Sequence, residues 1–247
     1  MALPSHAQKK KMLQLDPSFY LFNKDWDNTQ NFEEAVYFME KIKQNDSSYT
    51  CRYYSISGPM ISEESFMDSA LTIPNGRFCW YNANGDLDST GIVNKTKKDN
   101  YWYYYRNNKT YLYVQYDNGK IIEKRDYDAG IIYYADGTKE TLEEKKLKDS
   151  LADLSKDTVT FTSIQVEAKY KDGVNAWVNY ISKNLVTPDR LGNVLGKGKH
   201  TVTVGFTINK EGYTTDIYIF HSQEWSADAE VIRLIKNSPK WAPATVN

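Results

Sequence analysis

The stretch K-H-T-V-T-V-G-F-T-I-N-K-E-G-Y-T-T-D-I-Y-I-F-H (Lys199–His221) predicts two strands joined by a tight turn. Apolar residues occupy every second position from Val202 to Ile208, which is the period of a strand with one buried face. Lys210-Glu211-Gly212 supplies a short turn with the glycine that hairpins favour. The return strand is predicted over Tyr213–His221, so this part of the chain should form a β-hairpin.

A helix is predicted on each side of this hairpin. G-V-N-A-W-V-N-Y-I-S-K-N-L (Gly173–Leu185) carries apolar residues at spacings of three and four, and Asp172 lies where an N-cap is expected. The second helix is predicted over Ser226–Asn237, with Ser226 as its cap and Pro239 preventing its continuation. The expected order is therefore helix, hairpin, helix.

This order, followed by K-W-A-P-A (Lys240–Ala244), resembles the C-terminal domain of TonB-type energy transducers, in the version of Bacteroidetes-type exported proteins. The residues that carry the resemblance are Gly173, Ala176-Trp177, Tyr180-Ile181, Lys183-Asn184-Leu185, Gly198, Val204-Gly205-Phe206, Gly212, Asp228, Ile232-Arg233, Pro239-Lys240-Trp241 and Pro243. The resemblance covers about a third of the chain. It implies a small α+β domain whose exposed strand captures an extended peptide, the TonB box of an outer-membrane receptor.

One departure from the family pattern concerns the strand that holds the peptide. Family members continue past the W-x-P element into a third strand, whereas this sequence ends at Asn247. Either the sequence is truncated, or the return strand is left as an open edge that pairs with a peptide or with another copy. The residues then expected at the peptide-binding edge are Tyr213, Asp216, Ile217, Tyr218, Ile219 and Phe220.

A degenerate repeat precedes this part of the chain. Trp80–Gly85 matches Tyr104–Lys109 at an offset of 24 residues, and a Y-D-x-G pattern begins at both Tyr116 and Tyr127. Alternating strands and polar turns at such a period predict a ladder of β-hairpins. The pattern resembles MORN-variant repeats. Ten of the 20 tyrosines lie between positions 99 and 134, either as stacked cross-strand pairs or as a platform for carbohydrate or peptide.

These observations predict an α+β protein in four parts. Residues 1–18 are a signal-peptide remnant or a disordered N-terminus, because Ser5-His6-Ala7 resembles the small-x-small end of a secretory signal. Residues 19–137 form the β-rich MORN-like region, and residues 138–157 a charged linker helix. Residues 158–247 form the TonB-like domain, which a strand over Thr158–Ala168 should open.

Composition and motifs narrow the classes of function. The chain is 40% hydrophobic and 26% charged, which indicates a globular protein, and its net charge of −1 does not favour nucleic-acid binding. No apolar run reaches the ~20 residues of a membrane-spanning helix. The histidines His6, His200 and His221 lack metal-ligand spacing. Cys51 and Cys79 are either a pair or two ordinary strand cysteines.

The expected function is that of an exported, non-catalytic module that binds a protein or an extended peptide, with no cofactor and no metal. The partner could be a TonB-dependent outer-membrane receptor. The location expected from the resemblance is the periplasm or the cell envelope. The alternatives are an energy transducer for TonB-dependent transport and an envelope scaffold that self-associates, for which a homodimer is the simplest form.

Overall fold

The computed structural model describes residues 18–45, 47–154 and 167–245, and within them a single long antiparallel sheet dominates. The sheet has 12 strands in the order β12-β11-β10-β9-β8-β7-β6-β5-β4-β3-β1-β2. The strands are β1 (Phe19–Phe22), β2 (Asn28–Thr29), β3 (Tyr37–Asn45), β4 (Ser48–Ser55), β5 (Met60–Phe66), β6 (Pro74–Tyr81), β7 (Leu87–Asn94), β8 (Lys97–Arg106), β9 (Lys109–Asp117), β10 (Lys120–Asp126), β11 (Ile131–Tyr134) and β12 (Lys139–Thr141). Nearly every strand therefore pairs with its neighbours in sequence.

The repeat of the sequence corresponds to strand ends and turns of this sheet. Trp80–Gly85 covers the end of β6 and the turn after it, and Tyr104–Lys109 covers the equivalent place after β8. The turn after β9 uses Asn118 and Gly119, both with positive φ, as a two-residue hairpin turn requires. The prediction of a mixed fold with a long ladder of antiparallel hairpins is confirmed.

Aromatic residues fill the interior of the middle strands. Trp102 is 1% exposed and stacks on Trp80 with ring centroids 5.5 Å apart. On the opposite face, Tyr103 and Tyr113 are direct cross-strand partners with centroids 5.4 Å apart. These two tyrosines thus form a cross-strand pair of the kind that stabilises a thin sheet.

The remaining elements follow the long sheet. They are α1 (Leu142–Leu154), β13 (Lys169–Tyr170), α2 (Gly173–Asn184), α3 (Asp189–Leu195), β14 (Thr203–Ile208), β15 (Thr214–His221), α4 (Trp225–Lys236) and β16 (Trp241–Ala242). β14 pairs with β15 in one small sheet, and β13 with β16 in another. Residues 155–166, on which most of the predicted strand Thr158–Ala168 falls, and residues 1–17 lie outside the described residues.

Two local predictions differ from the structure. The cap of α4 is Glu224, whose side chain accepts a hydrogen bond from the Ala227 backbone N–H, rather than Ser226. Glutamate is a less common cap than serine, which is why the sequence pattern pointed to Ser226. Asp172 does stand at the N-cap position of α2, but it has φ 67° and its side chain makes no capping hydrogen bond.

One hydrophobic core joins the long sheet to the C-terminal elements. Its buried members from the sheet are Leu21, Phe38, Tyr54 and Met60, and those from the C-terminal elements are Ile219 on β15 and Ile232 on α4. Phe38 and Tyr54 stack with ring centroids 5.3 Å apart. The hairpin β14–β15 and the helix α4 therefore pack directly on strands β1, β3 and β4 and on the start of β5.

Candidate functional site

The residues predicted at the peptide-binding edge all lie on or next to β15, on two different faces. Ile219 is 1% exposed in the shared core, and Ile217 packs against the same core. Asp216 has φ 50° and lies where the register between β14 and β15 shifts. Such a bulge turns the strand locally and re-aims its side chains. Tyr213 precedes the strand and is exposed.

The other face of β15 packs on the long sheet through aromatic contacts. The ring of Phe220 meets the ring of Tyr105 edge to face, with centroids 5.6 Å apart. The guanidinium of Arg77 lies 4.9 Å from the centroid of the Tyr218 ring. Tyr218 and Phe220 are therefore partly used within the chain, as packing against the repeat region requires.

The outer edge of β15 also has partners in the long sheet. The hydroxyl of Tyr81 donates a hydrogen bond to the carbonyl oxygen of Ile219 at 2.9 Å. Arg77 donates another to the carbonyl oxygen of Asp216 at 3.1 Å. Beyond the strand, the backbone N–H of Ser222 donates to the carbonyl of Gly85 at 2.8 Å. The expected open edge is thus occupied within the chain. Peptide capture there stays a prediction that would require these contacts to open.

Within the described residues, neither strand of this hairpin has a second strand partner, and β14 is the one whose outer edge receives no hydrogen bond from the long sheet. In the described part of the chain, β14 pairs with β15 alone. Val204 is the direct partner of Ile219, and the carbonyl of Ile219 points away from β14 because it accepts the bond from Tyr81. In an antiparallel pair, the backbone groups of both partners then point outward. Val204 therefore directs its backbone N–H and C=O to the unpaired edge.

An apolar groove of about 520 Å³ adjoins the start of β14. It lies between the helices of the C-terminal elements and the residues that lead into the strand. Its apolar lining includes Ile181, Leu185, Leu191, Val202, Val231 and Leu234. Leu185 and the neighbouring Val186 are 49% and 63% exposed, so apolar surface is open to solvent here.

A buried polar cluster lies where α4 meets the long sheet. Asp228 is fully buried and accepts hydrogen bonds from the hydroxyls of Ser222 and Tyr54 and from the backbone N–H of Gln223. Burial raises the pKa of its carboxyl to about 7. In the sequence, Asp228 stands out only as one of the residues that carry the resemblance to the TonB-type domain. Its partner Tyr54 is 174 positions away, so no local pattern could reveal the contact.

A second buried carboxylate holds the start of α4 in place. Glu224 is fully buried, caps the helix through Ala227, and forms an ion pair with Arg190 at 3.0 Å. Arg190 also donates to the backbone carbonyl of Ile56 in the loop after β4. Arg190 could not be identified from the sequence, because α3, the seven-residue helix that carries it, was not predicted.

His221, whose spacing did not indicate a metal ligand, forms hydrogen bonds through both ring nitrogens. Its Nδ1 lies 2.7 Å from a carboxylate oxygen of Asp86, in the turn after β6, and its Nε2 lies 2.6 Å from the side-chain nitrogen of Gln223. The hydroxyl of the adjacent Ser222 donates to Asp228. The second ring nitrogen of His221 thus contacts the amide of Gln223, where a catalytic pair would have a nucleophile.

The remaining chemistry-bearing groups are dispersed. Cys51 and Cys79 are free and buried on β4 and β6, and burial raises the pKa of each thiol to about 12. Across the described residues, no group of three or more His, Cys, Asp or Glu side chains could hold a metal ion. None of the helices in the described ranges is long and apolar enough to cross a membrane.

Comparison with known proteins adds no relative. No protein-family model matches the chain, and no curated protein matches it.

Proposed function

We propose that the chain is a non-catalytic protein-binding module that pairs an extended peptide segment of a partner protein with the open edge of β14. The observation that carries this proposal is that β14 pairs with β15 alone in the described part of the chain, which leaves the outward-facing backbone of Val204 without a strand partner there. An unpaired strand edge offers main-chain donors and acceptors in a row, which an added strand can satisfy. Each such hydrogen bond contributes about 0.5–1.5 kcal/mol.

The apolar groove next to β14 supports the proposal, because main-chain pairing alone does not select a sequence. In strand addition, pockets beside the strand select alternate side chains of the peptide. Val202 lines the groove just before β14, so a peptide on this edge would place an apolar side chain there. The expected partner is therefore a segment with apolar residues at alternate positions.

The finer identity of the module belongs to the same proposal and rests on the resemblance. It comprises a MORN-like hairpin region, a TonB-like C-terminal domain, export to the periplasm or envelope, and a TonB-dependent receptor as the partner. Energy transduction is a narrower version of this function. Self-association through β14 is a second candidate, which the same open edge favours because an identical strand can pair with it.

The proposal can be tested by titrating a dye-labelled TonB-box peptide into the full chain and following its fluorescence anisotropy. Val204→Pro removes one backbone donor at the open edge, whereas Val204→Ala keeps it and serves as the matched control. Saturable binding is expected for the Ala variant. Binding about 3- to 10-fold weaker is expected for the Pro variant, as the loss of one hydrogen bond implies.

Two controls separate strand capture from other contacts. A peptide with N-methylated alternate amides cannot complete the ladder and should not bind, whereas a scrambled peptide tests the selection of side chains. A flat titration with a folded chain would contradict peptide binding. A doubled mass in light scattering, lost in Val204→Pro, would assign the edge to self-association instead.

A further inference from the structure

A second, separate cavity lies between the long sheet and the C-terminal elements. Its volume is about 380 Å³, within the range of small-molecule sites. Strands β4, β5 and β6 form one side through Arg52, Glu63 and Arg77. The other side is formed by the bulge at Asp216 on β15 and by Lys236 at the end of α4.

Arg52 is the most informative residue in this cavity. It is 8% exposed, and its Nε donates a hydrogen bond to Glu63 at 2.7 Å. Burial opposes its charge, but the adjacent carboxylate of Glu63 holds the pKa of Arg52 above its usual value.

The guanidinium group carries five N–H donors, and the bond to Glu63 uses one of them. No described residue accepts a hydrogen bond from the two terminal nitrogens of Arg52, which lines the cavity. Among the described residues every fully buried side-chain nitrogen or oxygen has a hydrogen-bond partner, so these terminal nitrogens are accessible from the cavity, where a water or a ligand can accept their hydrogen bonds. A planar fork of such donors fits the two oxygens of a carboxylate.

The charges around the cavity limit the charge of the ligand. Arg52, Arg77 and Lys236 face Glu63 and Asp216, which leaves one positive charge in excess. Arg77 already contacts Asp216, with 3.8 Å between the charged atoms, whereas Lys236 has no ion pair with any described residue. A single negative charge on the ligand balances this excess, whereas a doubly charged phosphate would leave the cavity with a net negative charge, so a monoanion fits better.

The rest of the lining is largely polar. Thr50 and Ser65 contribute hydroxyls from the sheet, and Thr214 and Thr215 contribute hydroxyls from β15. The hydroxyls of Thr214 and Thr215 already donate to the backbone carbonyls of Ile235 and Thr207, so towards a ligand they act as acceptors, which matches a ligand that itself carries hydroxyls. We propose that this cavity binds a small hydroxylated monocarboxylate, whose carboxylate is held by the terminal nitrogens of Arg52 and attracted by Lys236.

Isothermal titration calorimetry on the full chain tests this directly. The probes, all at pH 8.5 where inorganic phosphate is mainly the dianion, are L-lactate, D-gluconate and D-glucuronate, with D-glucitol as the uncharged control and inorganic phosphate as the dianion control. At least one carboxylate should bind saturably at about 10 mM or below, and more tightly than phosphate or D-glucitol. The readout does not involve peptide binding at β14, so the two proposals can fail independently.

Variants assign the binding to this cavity. Lys236 lies on the surface, and Lys236→Gln should weaken binding about fivefold, whereas Lys120→Gln, at the exposed start of β10 and four strands from β6, should have no effect. Arg52→Lys keeps a positive charge beside Glu63 but removes the fork, and should weaken binding about tenfold or more.

Three results would overturn the proposal. The first is that none of the three carboxylates binds, which would mean that water alone accepts the bonds of Arg52. The second is unchanged affinity in Lys236→Gln and in a folded Arg52→Lys, which would place the binding elsewhere. The third is tighter binding of phosphate than of every carboxylate.

Discussion

The buried carboxyl of Asp228 should make the protein less stable as the pH rises towards neutrality. Its pKa is raised from 3.8 to about 7, chiefly because burial disfavours the charged form. The carboxyl of the folded protein therefore keeps its proton over a pH range in which the unfolded chain has lost it. The stabilising effect is complete below about pH 4 and is lost as the pH rises through about 7.

The expected change in unfolding free energy follows from the pKa shift of Asp228. A difference of about three pKa units, at 1.36 kcal/mol each, corresponds to about 4 kcal/mol of unfolding free energy. Asp228→Asn cannot ionise, so this loss should be absent from the variant. The free energy of unfolding of Asp228→Asn minus that of the unmodified protein should therefore rise by about 4 kcal/mol between pH 4 and pH 8.

Urea unfolding followed by tryptophan fluorescence at a series of pH values measures this difference. Asp172→Asn is the matched control, because Asp172 is exposed and asparagine also accepts its positive φ. The difference between this control and the unmodified protein should stay flat across the series. If the Asp228→Asn difference were equally flat, the carboxyl would not be held protonated by burial, and the explanation would be refuted.

Three further predictions concern packing and capping. Trp102→Ala should lower the unfolding free energy by about 3–5 kcal/mol, since the side chain is 1% exposed; a loss below about 1 kcal/mol in urea unfolding would contradict this. Gly91→Ala should lower the unfolding free energy by about 1–3 kcal/mol, because the added Cβ would lie 2.2 Å from the ring of Trp102. An unchanged melting temperature would argue against this close contact. Glu224→Gln should lower the unfolding free energy by about 2 kcal/mol, because it weakens the cap of α4 and breaks the ion pair with Arg190. An equal loss in Arg190→Ala would assign the whole effect to the ion pair.

The local elements could be predicted because their signals are local. The alternation from Val202 to Ile208 and the glycine turn after it predicted the β14–β15 hairpin, and both strands are present. Turn residues such as Asn118-Gly119 likewise predicted hairpins of the long sheet. These patterns reflect backbone conformation and burial within about ten residues, which a sequence displays directly.

The sequence did not allow us to predict which edge of the β14–β15 hairpin is open and which is occupied. Tyr81 and Ile219 are 138 positions apart, and their hydrogen bond occupies the edge that was expected to be open. The contact depends on how the hairpin packs on the long sheet, and no periodic signal encodes that packing. Arg52 could not be identified as a site residue for the same reason, because its cavity forms only where β4 meets β15 and α4.

Hydrogen exchange of the full chain, read by mass spectrometry with and without the TonB-box peptide, tests most directly which edge is free. Peptide binding at β14 should slow exchange in Thr203–Ile208, whereas exchange in β15, whose outer edge faces the long sheet, should not change when the peptide is added. New protection confined to Thr214–His221 would instead show that the contacts of Tyr81 and Arg77 open and that β15 is the strand that pairs.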